Sequence, residues 1–83
     1  MFETTFEDGI EITNYLATAY AEGFCEGDGA SAVDQLRAWA WLIKTGNAFL
    51  LQGFFGRNAA SLIERDIINR DGIINWEIIE ENE

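Results

Sequence analysis

Residues able to do chemistry are few among the 83 of this chain. Histidine, the commonest general base and metal ligand, is absent, so the single cysteine, Cys25, has no imidazole to activate its thiol. No glycine motif that binds nucleotide phosphates occurs. Pairs of carboxylates are weak evidence for glycosidase chemistry, because fifteen acids in a short chain form many accidental pairs. We therefore predict a protein that is not an enzyme, with no catalytic residues and no cofactor, and interpret Cys25 as incidental or buried.

The carboxylates Glu22, Glu26 and Asp28 raise the question of a calcium site. A calcium loop of the EF-hand type places oxygen ligands at positions 1, 3, 5 and 12 around a central glycine. The stretch EGDGASAVD, residues 26–34, lacks that number of ligands and the closing glutamate. We therefore expect no metal site in this segment.

The segment GFFGR, Gly53 to Arg57, resembles in outline the GxxG loop with which KH domains clamp an RNA backbone. Two phenylalanines occupy the central positions, the net charge is −10, and no strand pattern for a KH sheet is present. These observations exclude a KH domain. We interpret Gly53 and Gly56 as a sharp turn between two helices, with one of the two phenylalanines entering the core.

Arg57 is one of only five cations in the chain, and two roles are open for it. It either pairs with an acidic N-terminal or C-terminal segment, or contacts a partner beside an exposed Phe54, since aromatic residues and arginine dominate interface energetics. We expect the ion pair, in which case the substitution of Arg57 would lower stability.

Charge is unevenly distributed along the chain. Residues 1–34 hold eight carboxylates and no cation, residues 35–70 hold all five cations against two carboxylates, and residues 71–83 hold five carboxylates. The negative charge repels nucleic acid and anionic membranes and attracts the protein to basic partner surfaces. The alternative is that the acidic surface only keeps a small protein soluble. The candidate partner-binding residues are mostly acids, with one phenylalanine and one arginine: Glu3, Glu7, Asp8, Glu11, Glu22, Glu26, Asp28, Phe54 and Arg57.

Cellular location follows from simple signals. A lone cysteine fits a reducing compartment, no charged-then-apolar leader opens the chain, and no apolar run approaches the roughly 20 residues of a membrane span. We expect a cytoplasmic protein, with no membrane contact.

Apolar periodicity predicts a mainly α fold, a compact bundle of three to four short helices in one domain spanning residues 1–83. The helices are expected over Glu11–Glu22, Ala32–Thr45 and Asn47–Gln52, with a fourth beginning near Arg57 or Asn58. The second helix has the widest apolar surface and is expected to be central, with Ser31 as its N-cap and Gly46 just past its end. Residues 1–10 and 80–83 are expected to be irregular.

The C-terminal part contains the turn signal NRDG, residues 69–72, between two pairs of isoleucines. This pattern favours a small C-terminal β-hairpin or an extended tail. We interpret IINWEII, residues 73–79, as a strand.

Residues 38–63 resemble a family of small uncharacterised proteins of tailed bacteriophages, which share the pattern A-W-x-x-L-I-x-T-G followed by L-Q-G-x-F-G-R-x-A-x-x-L-I. Members usually have an aromatic residue at the position of Phe54, and an acid where this chain has Lys44. The resemblance covers about a third of the chain and implies phage origin, with no activity attached. The matching residues are Ala38, Trp39, Leu42, Ile43, Thr45, Gly46, Leu51, Gln52, Gly53, Phe55, Gly56, Arg57, Ala59, Leu62 and Ile63.

Acidity and implied phage origin together favour a stoichiometric inhibitor of a host nucleic-acid-directed complex, similar to anti-CRISPR or anti-restriction proteins, in the host bacterial cytoplasm. Its partner would be a host protein or nucleoprotein complex with a basic surface, without direct nucleic-acid contact. The alternative is a phage accessory or structural module that self-associates, for example as a homodimer, through its aromatic surface. A small regulator touching nucleic acid directly is a further alternative.

Overall fold

The computed structural model describes residues 4–23, 29, 31–50 and 53–81, apart from the side chains of Phe54 and residues 79–81. Its Cα radius of gyration is 11.6 Å, close to the roughly 12 Å expected for a compact domain of this length. Within this part of the chain there are helices and two isolated β-bridges but no strand, which confirms the predicted helical class. The helices are α1 (Asn14–Glu22), α2 (Ala32–Thr45), α3 (Asn47–Leu50), α4 (Gly53–Glu64) and α5 (Trp76–Glu81).

Helix α2 forms the centre of the core, over the predicted residues. The Ser31 hydroxyl accepts a hydrogen bond from the Asp34 N–H (3.1 Å), and Gly46 ends the helix with a left-handed backbone, φ 82°. Its apolar face, at spacings of three and four residues, is buried: Ala38, Trp39, Leu42 and Ile43. Both predicted caps are confirmed.

Helix α1 begins three residues later than the predicted Glu11. Thr13 is its N-cap, accepting a hydrogen bond from the Leu16 N–H at 3.2 Å. Glu11 instead forms an antiparallel bridge with Thr5, and the N–H of Ile12 donates to the carbonyl of Thr4 at 2.9 Å. The chain before Thr13 is therefore used to close the N-terminal loop, residues 4–12.

Helices α1 and α2 run antiparallel, because a side-chain hydrogen bond joins them near each end. The Gln35 amide donates to the carbonyl of Tyr20 at 3.4 Å near the start of α2. The Asn47 amide, just past the end of α2, donates to Oδ1 of Asn14 at 3.1 Å. The C-terminal end of α1 therefore lies beside the N-terminal end of α2.

The predicted turn at Gly53–Gly56 is wrong, since these residues form the first turn of α4. Neither glycine has a positive φ. The physical reason is that Phe55, Ala59 and Leu62 continue one helical stripe, so the helix must include Phe55 to bury it on the same face. Phe55 is buried with its ring 5.7 Å from that of Trp39, which confirms that one phenylalanine enters the core.

The predicted third helix ran to Gln52. The structure has α3 as far as Leu50, and residues 51–52 lie outside the described part.

The C-terminal strand prediction is wrong from Trp76 onward. The NRDG turn is confirmed, with Oδ1 of Asn69 accepting hydrogen bonds from the N–H groups of Asp71 and Ile73. Only one β-bridge, between Ile68 and Ile74, joins the two sides of the turn. Oδ1 of Asn75 then accepts from the N–H of Ile78 at 3.4 Å, so an N-cap converts the extended chain into α5.

Candidate interaction surface

The N-terminal loop is attached to the first turns of α2 by two hydrogen bonds. The N–H of Glu7 donates to Oδ1 of Asp34 at 2.9 Å, and Nη1 of Arg37 donates to the carbonyl of Thr5 at 3.2 Å. Both bonds join residues about thirty positions apart in sequence. They bring the acids of the loop to the beginning of α2.

Phe6 connects the same loop to the end of α1. Its side chain is 1% exposed and stacks on Tyr20, with ring centroids 4.0 Å apart and an interplanar angle of 14°. Glu22 lies two residues beyond Tyr20, and a Cβ at the adjacent Gly23 would stand 3.8 Å from the Gln35 amide nitrogen. Glu22 is therefore at the end of the α1–α2 pair where Asp34 begins α2.

These contacts gather acids from three separate stretches of sequence at one end of the molecule. We call this group the acidic end: Glu7, Asp8, Glu11, Glu22 and Asp34. All are exposed except Asp34, which is half-buried. The cation among them is Arg37, whose guanidinium is turned toward the Thr5 carbonyl. The acidic end thus presents more negative charge to solvent than positive charge.

The structure unites four of the nine predicted contact residues and places the others elsewhere or leaves them undescribed. Glu7, Asp8, Glu11 and Glu22 belong to the acidic end. Glu3, Glu26, Asp28 and the Phe54 side chain are outside the described part. Arg57 lies in the second turn of α4. Sequence reasoning did not select Asp34 as a contact residue, although it belongs to the first acidic block.

The ion pair expected of Arg57 stays a prediction, because several acids of the two terminal segments lie outside the described part of the chain. Its side chain is exposed, and within the described part of the chain it has no carboxylate partner. Its Nη1 atom lies 3.2 Å from where a Cβ would stand on Gly53, so the guanidinium extends along its own helix toward the N-terminus.

A depression of about 410 Å³ lies between the end of α4, the NRDG turn and α5. The side-chain oxygens of Asn69 and Asn75 are already used, in the turn and in the cap of α5. These two oxygens are therefore part of the fold's own framework. The lining residues are Asp66, Asn69, Ile73, Ile74, Asn75 and Ile78.

Neither a metal-binding cluster nor a membrane-spanning helix is found among the residues that the structure describes. No group of three or more Cys, Asp or Glu side chains there is placed to hold a metal ion. None of the helices described is long and apolar enough to cross a membrane.

Residues 24–83 match a family described as a domain of unknown function, DUF7417. The chain belongs to the DUF7417 family. No curated protein and no solved structure matches it. The matched residues include α2 to α5, whereas α1 and the N-terminal loop precede them. Most of the acidic end therefore comes from the part of the chain that lies before the DUF7417 match.

Proposed function

We propose that this DUF7417 protein is a non-catalytic, stoichiometric inhibitor of a host nucleic-acid-directed complex, such as a CRISPR effector or a restriction enzyme. The observation that supports the proposal is the convergence of Glu7, Asp8, Glu11, Glu22 and Asp34 at one end of the molecule. The resemblance of residues 38–63 to small phage proteins adds the biological setting, the host bacterial cytoplasm.

The physical mechanism is electrostatic competition. A groove that binds nucleic acid is lined with Lys and Arg side chains, which release counterions when phosphates neutralise them. Closely spaced carboxylates on a rigid surface can occupy the same cations, and a net charge of −10 accelerates the encounter with a basic surface. The same charge repels naked nucleic acid and anionic lipid, so we expect the partner to be the protein component.

Rigidity matters for such a surface because flexible acids lose entropy when they are ordered on a partner. Here the loop is held by the buried Phe6 ring and by the bonds of Glu7 to Asp34 and of Arg37 to Thr5. Glu7 and Asp8 are thus presented from a closed loop, with the Ile10 N–H bound to the Asp8 carboxylate at 3.1 Å.

The test is a titration of the purified protein into reconstituted CRISPR effector nucleases and restriction endonucleases, with cleavage as the readout. Inhibition should reach its end point at an equimolar ratio. The apparent Kd should rise by at least about tenfold between roughly 50 mM and 300 mM salt, relative to enzyme activity measured at each salt concentration without inhibitor. The triple variant Glu7→Gln, Glu11→Gln, Glu22→Gln should inhibit at least about tenfold more weakly.

A matched control removes the same number of charges from another part of the surface. Glu64→Gln, Asp66→Asn and Asp71→Asn are exposed substitutions that leave the acidic end intact. This control variant should inhibit like the original protein. Equal losses in both triple variants, or inhibition insensitive to salt, would contradict a contact through the acidic end.

A further inference from the structure

The depression between the end of α4, the NRDG turn and α5 combines apolar and polar walls. Three isoleucines form the apolar walls, and one aspartate and two asparagines supply the polar groups. Its volume of about 410 Å³ lies within the range of roughly 300–1,000 Å³ found for small-ligand sites, which pair apolar walls with a few polar groups in the same way. The depression therefore has the size and the mixed lining of a small-molecule site.

The polar groups of the depression have hydrogen-bonding capacity left for a ligand. Oδ1 of Asn69 and Oδ1 of Asn75 accept backbone N–H groups, which leaves the NH₂ group of each carboxamide to donate elsewhere. Within the described part of the chain neither NH₂ group donates a hydrogen bond, and the exposed Asp66 carboxylate forms no ion pair. The depression thus offers one anionic acceptor and two amide donors.

Backbone hydrogen bonds hold the polar residues of the depression in place. The N–H of Asn69 donates to the carbonyl of Ile73 at 3.0 Å, and the N–H of Asn75 donates to the carbonyl of Ile67 at 2.8 Å. The N–H of Asp66 donates to a carbonyl in the last turn of α4 at 3.1 Å. A site that is fixed before binding loses less entropy when a ligand is bound.

These groups match a ligand with a cation, an aliphatic part and an anionic acceptor. A guanidinium suits the exposed carboxylate, because its planar fork makes two parallel hydrogen bonds and it is more weakly hydrated than an ammonium. The methylene stem of an arginine can lie along apolar walls while its charged head stays in contact with water. The two amide donors suit a carboxylate, since a charged acceptor makes a stronger hydrogen bond than a neutral carbonyl.

We propose that the depression binds a free amino acid with a guanidinium side chain, for which arginine is the probe. The guanidinium pairs with Asp66, and the stem packs on Ile73 and Ile78. The α-carboxylate accepts hydrogen bonds from the NH₂ groups of Asn69 and Asn75. None of these residues belongs to the acidic end, so this site is additional to the proposed inhibitory surface.

The experiment is an NMR titration of the isotopically labelled full chain with L-arginine up to about 20 mM at constant ionic strength, which covers weak binding. The side-chain NH₂ signals of Asn69 and Asn75 and the methyl signals of Ile73 and Ile78 should shift along one saturating curve. Citrulline has nearly the same shape without the charge, and it should bind at least about fivefold more weakly. Lysine should bind severalfold more weakly, because an ammonium cannot make two parallel hydrogen bonds to Asp66.

Two aspartates supply a matched pair of variants. Asp66→Asn removes the carboxylate and keeps a residue that tolerates a left-handed backbone, so the fold should be retained while the Kd for arginine rises at least about fivefold. Asp71→Asn removes the same charge from an exposed residue outside the lining, and it should leave the Kd unchanged. Ile73→Thr keeps a β-branched side chain outside the core cluster, and loss of its apolar surface should weaken binding severalfold. Far-UV circular dichroism checks that each variant is folded.

Three results would overturn the site: no saturating shift up to about 20 mM, an unchanged Kd in Asp66→Asn, or equal Kd values for arginine and lysine. The last result would indicate only a general attraction of cations to a chain of net charge −10.

Arginine capped with an N-acetyl and a C-methylamide group tests the source of the ligand, because the capped form has no carboxylate. It should bind at least about fivefold more weakly than the free amino acid. Equal binding would show that the occupant is an arginine residue of a protein, and would overturn the free amino acid. No nucleic-acid-directed complex enters this measurement, so the site and the proposed inhibition can fail separately.

Discussion

Asp66 is the residue other than glycine that has a left-handed backbone in the described part of the chain, with φ 58°. It ends α4 in a Schellman motif, in which the N–H of Ile67 donates to the carbonyl of Leu62 at 3.0 Å and the N–H of Asp66 to that of Ile63 at 3.1 Å. Glycine is the usual residue at this position because it has no Cβ to strain. An aspartate here costs stability.

Asp66→Gly should therefore raise the free energy of unfolding by up to about 1 kcal/mol, because relief of backbone strain outweighs the extra freedom of the unfolded chain. Urea denaturation followed by tryptophan fluorescence measures the change. Asp71→Gly removes the same charge from an exposed turn residue without a positive φ, and it should lower stability. Stabilisation by both variants would point to charge rather than backbone strain.

At the scale of the element, two glycines lie where consecutive helices meet: Gly46 between α2 and α3, and Gly56 where α4 packs against α3. Gly46 ends α2 with φ 82°, and Asn47 begins α3 directly after it. Gly56 lies inside α4, where φ is not positive and a Cβ would meet the Ala48 carbonyl oxygen at an ordinary distance of 3.9 Å. The first glycine is required by the backbone and the second is not.

Gly56→Ala is expected to stabilise the protein by about 0.5 to 1 kcal/mol, since alanine loses less backbone entropy within a helix. Gly46→Ala should destabilise it by about 1 kcal/mol, because alanine is strained in the left-handed region. Thermal unfolding of the two variants checks this opposite pair of shifts. A loss of stability in Gly56→Ala would show that α3 and α4 approach each other more tightly than this distance indicates.

At the scale of the whole molecule, fifteen carboxylates face five cations on a small surface. Mutual repulsion of like charges disfavours the compact state, and salt screens it, with a Debye length of about 10 Å at 0.1 M. The charge is also unevenly distributed, with Glu7, Asp8, Glu22 and Asp34 gathered at the acidic end.

The melting temperature should rise by several degrees between roughly 10 mM and 300 mM NaCl, because screening reduces the repulsion among carboxylates. Differential scanning fluorimetry of the dilute protein measures this change. The Glu7→Gln, Glu11→Gln, Glu22→Gln variant should show a smaller rise, since three of the crowded charges are gone. A melting temperature that falls with salt would mean that favourable ion pairs dominate the fold.

The local signals in the sequence were sufficient for α2, because a serine cap, a periodic apolar stripe and a terminal glycine all act within a few residues of one another. The NRDG turn was predictable for the same reason. The GFFG segment was misread, since two glycines indicate a turn only if the apolar stripe that begins at Phe55 is overlooked. The sequence also showed that residues 1–34 are acidic, but not where their carboxylates meet.

Composition and periodicity by themselves determined the helical class, the negative charge and the lack of histidine chemistry. Only the tertiary structure decided that Glu7, Glu22 and Asp34 share one end, and that Asp66, Asn69 and Asn75 line one depression. The reason is physical: helix propensity and capping depend on near neighbours, whereas the burial of Phe6 on Tyr20 and the Glu7–Asp34 hydrogen bond join residues far apart in the chain.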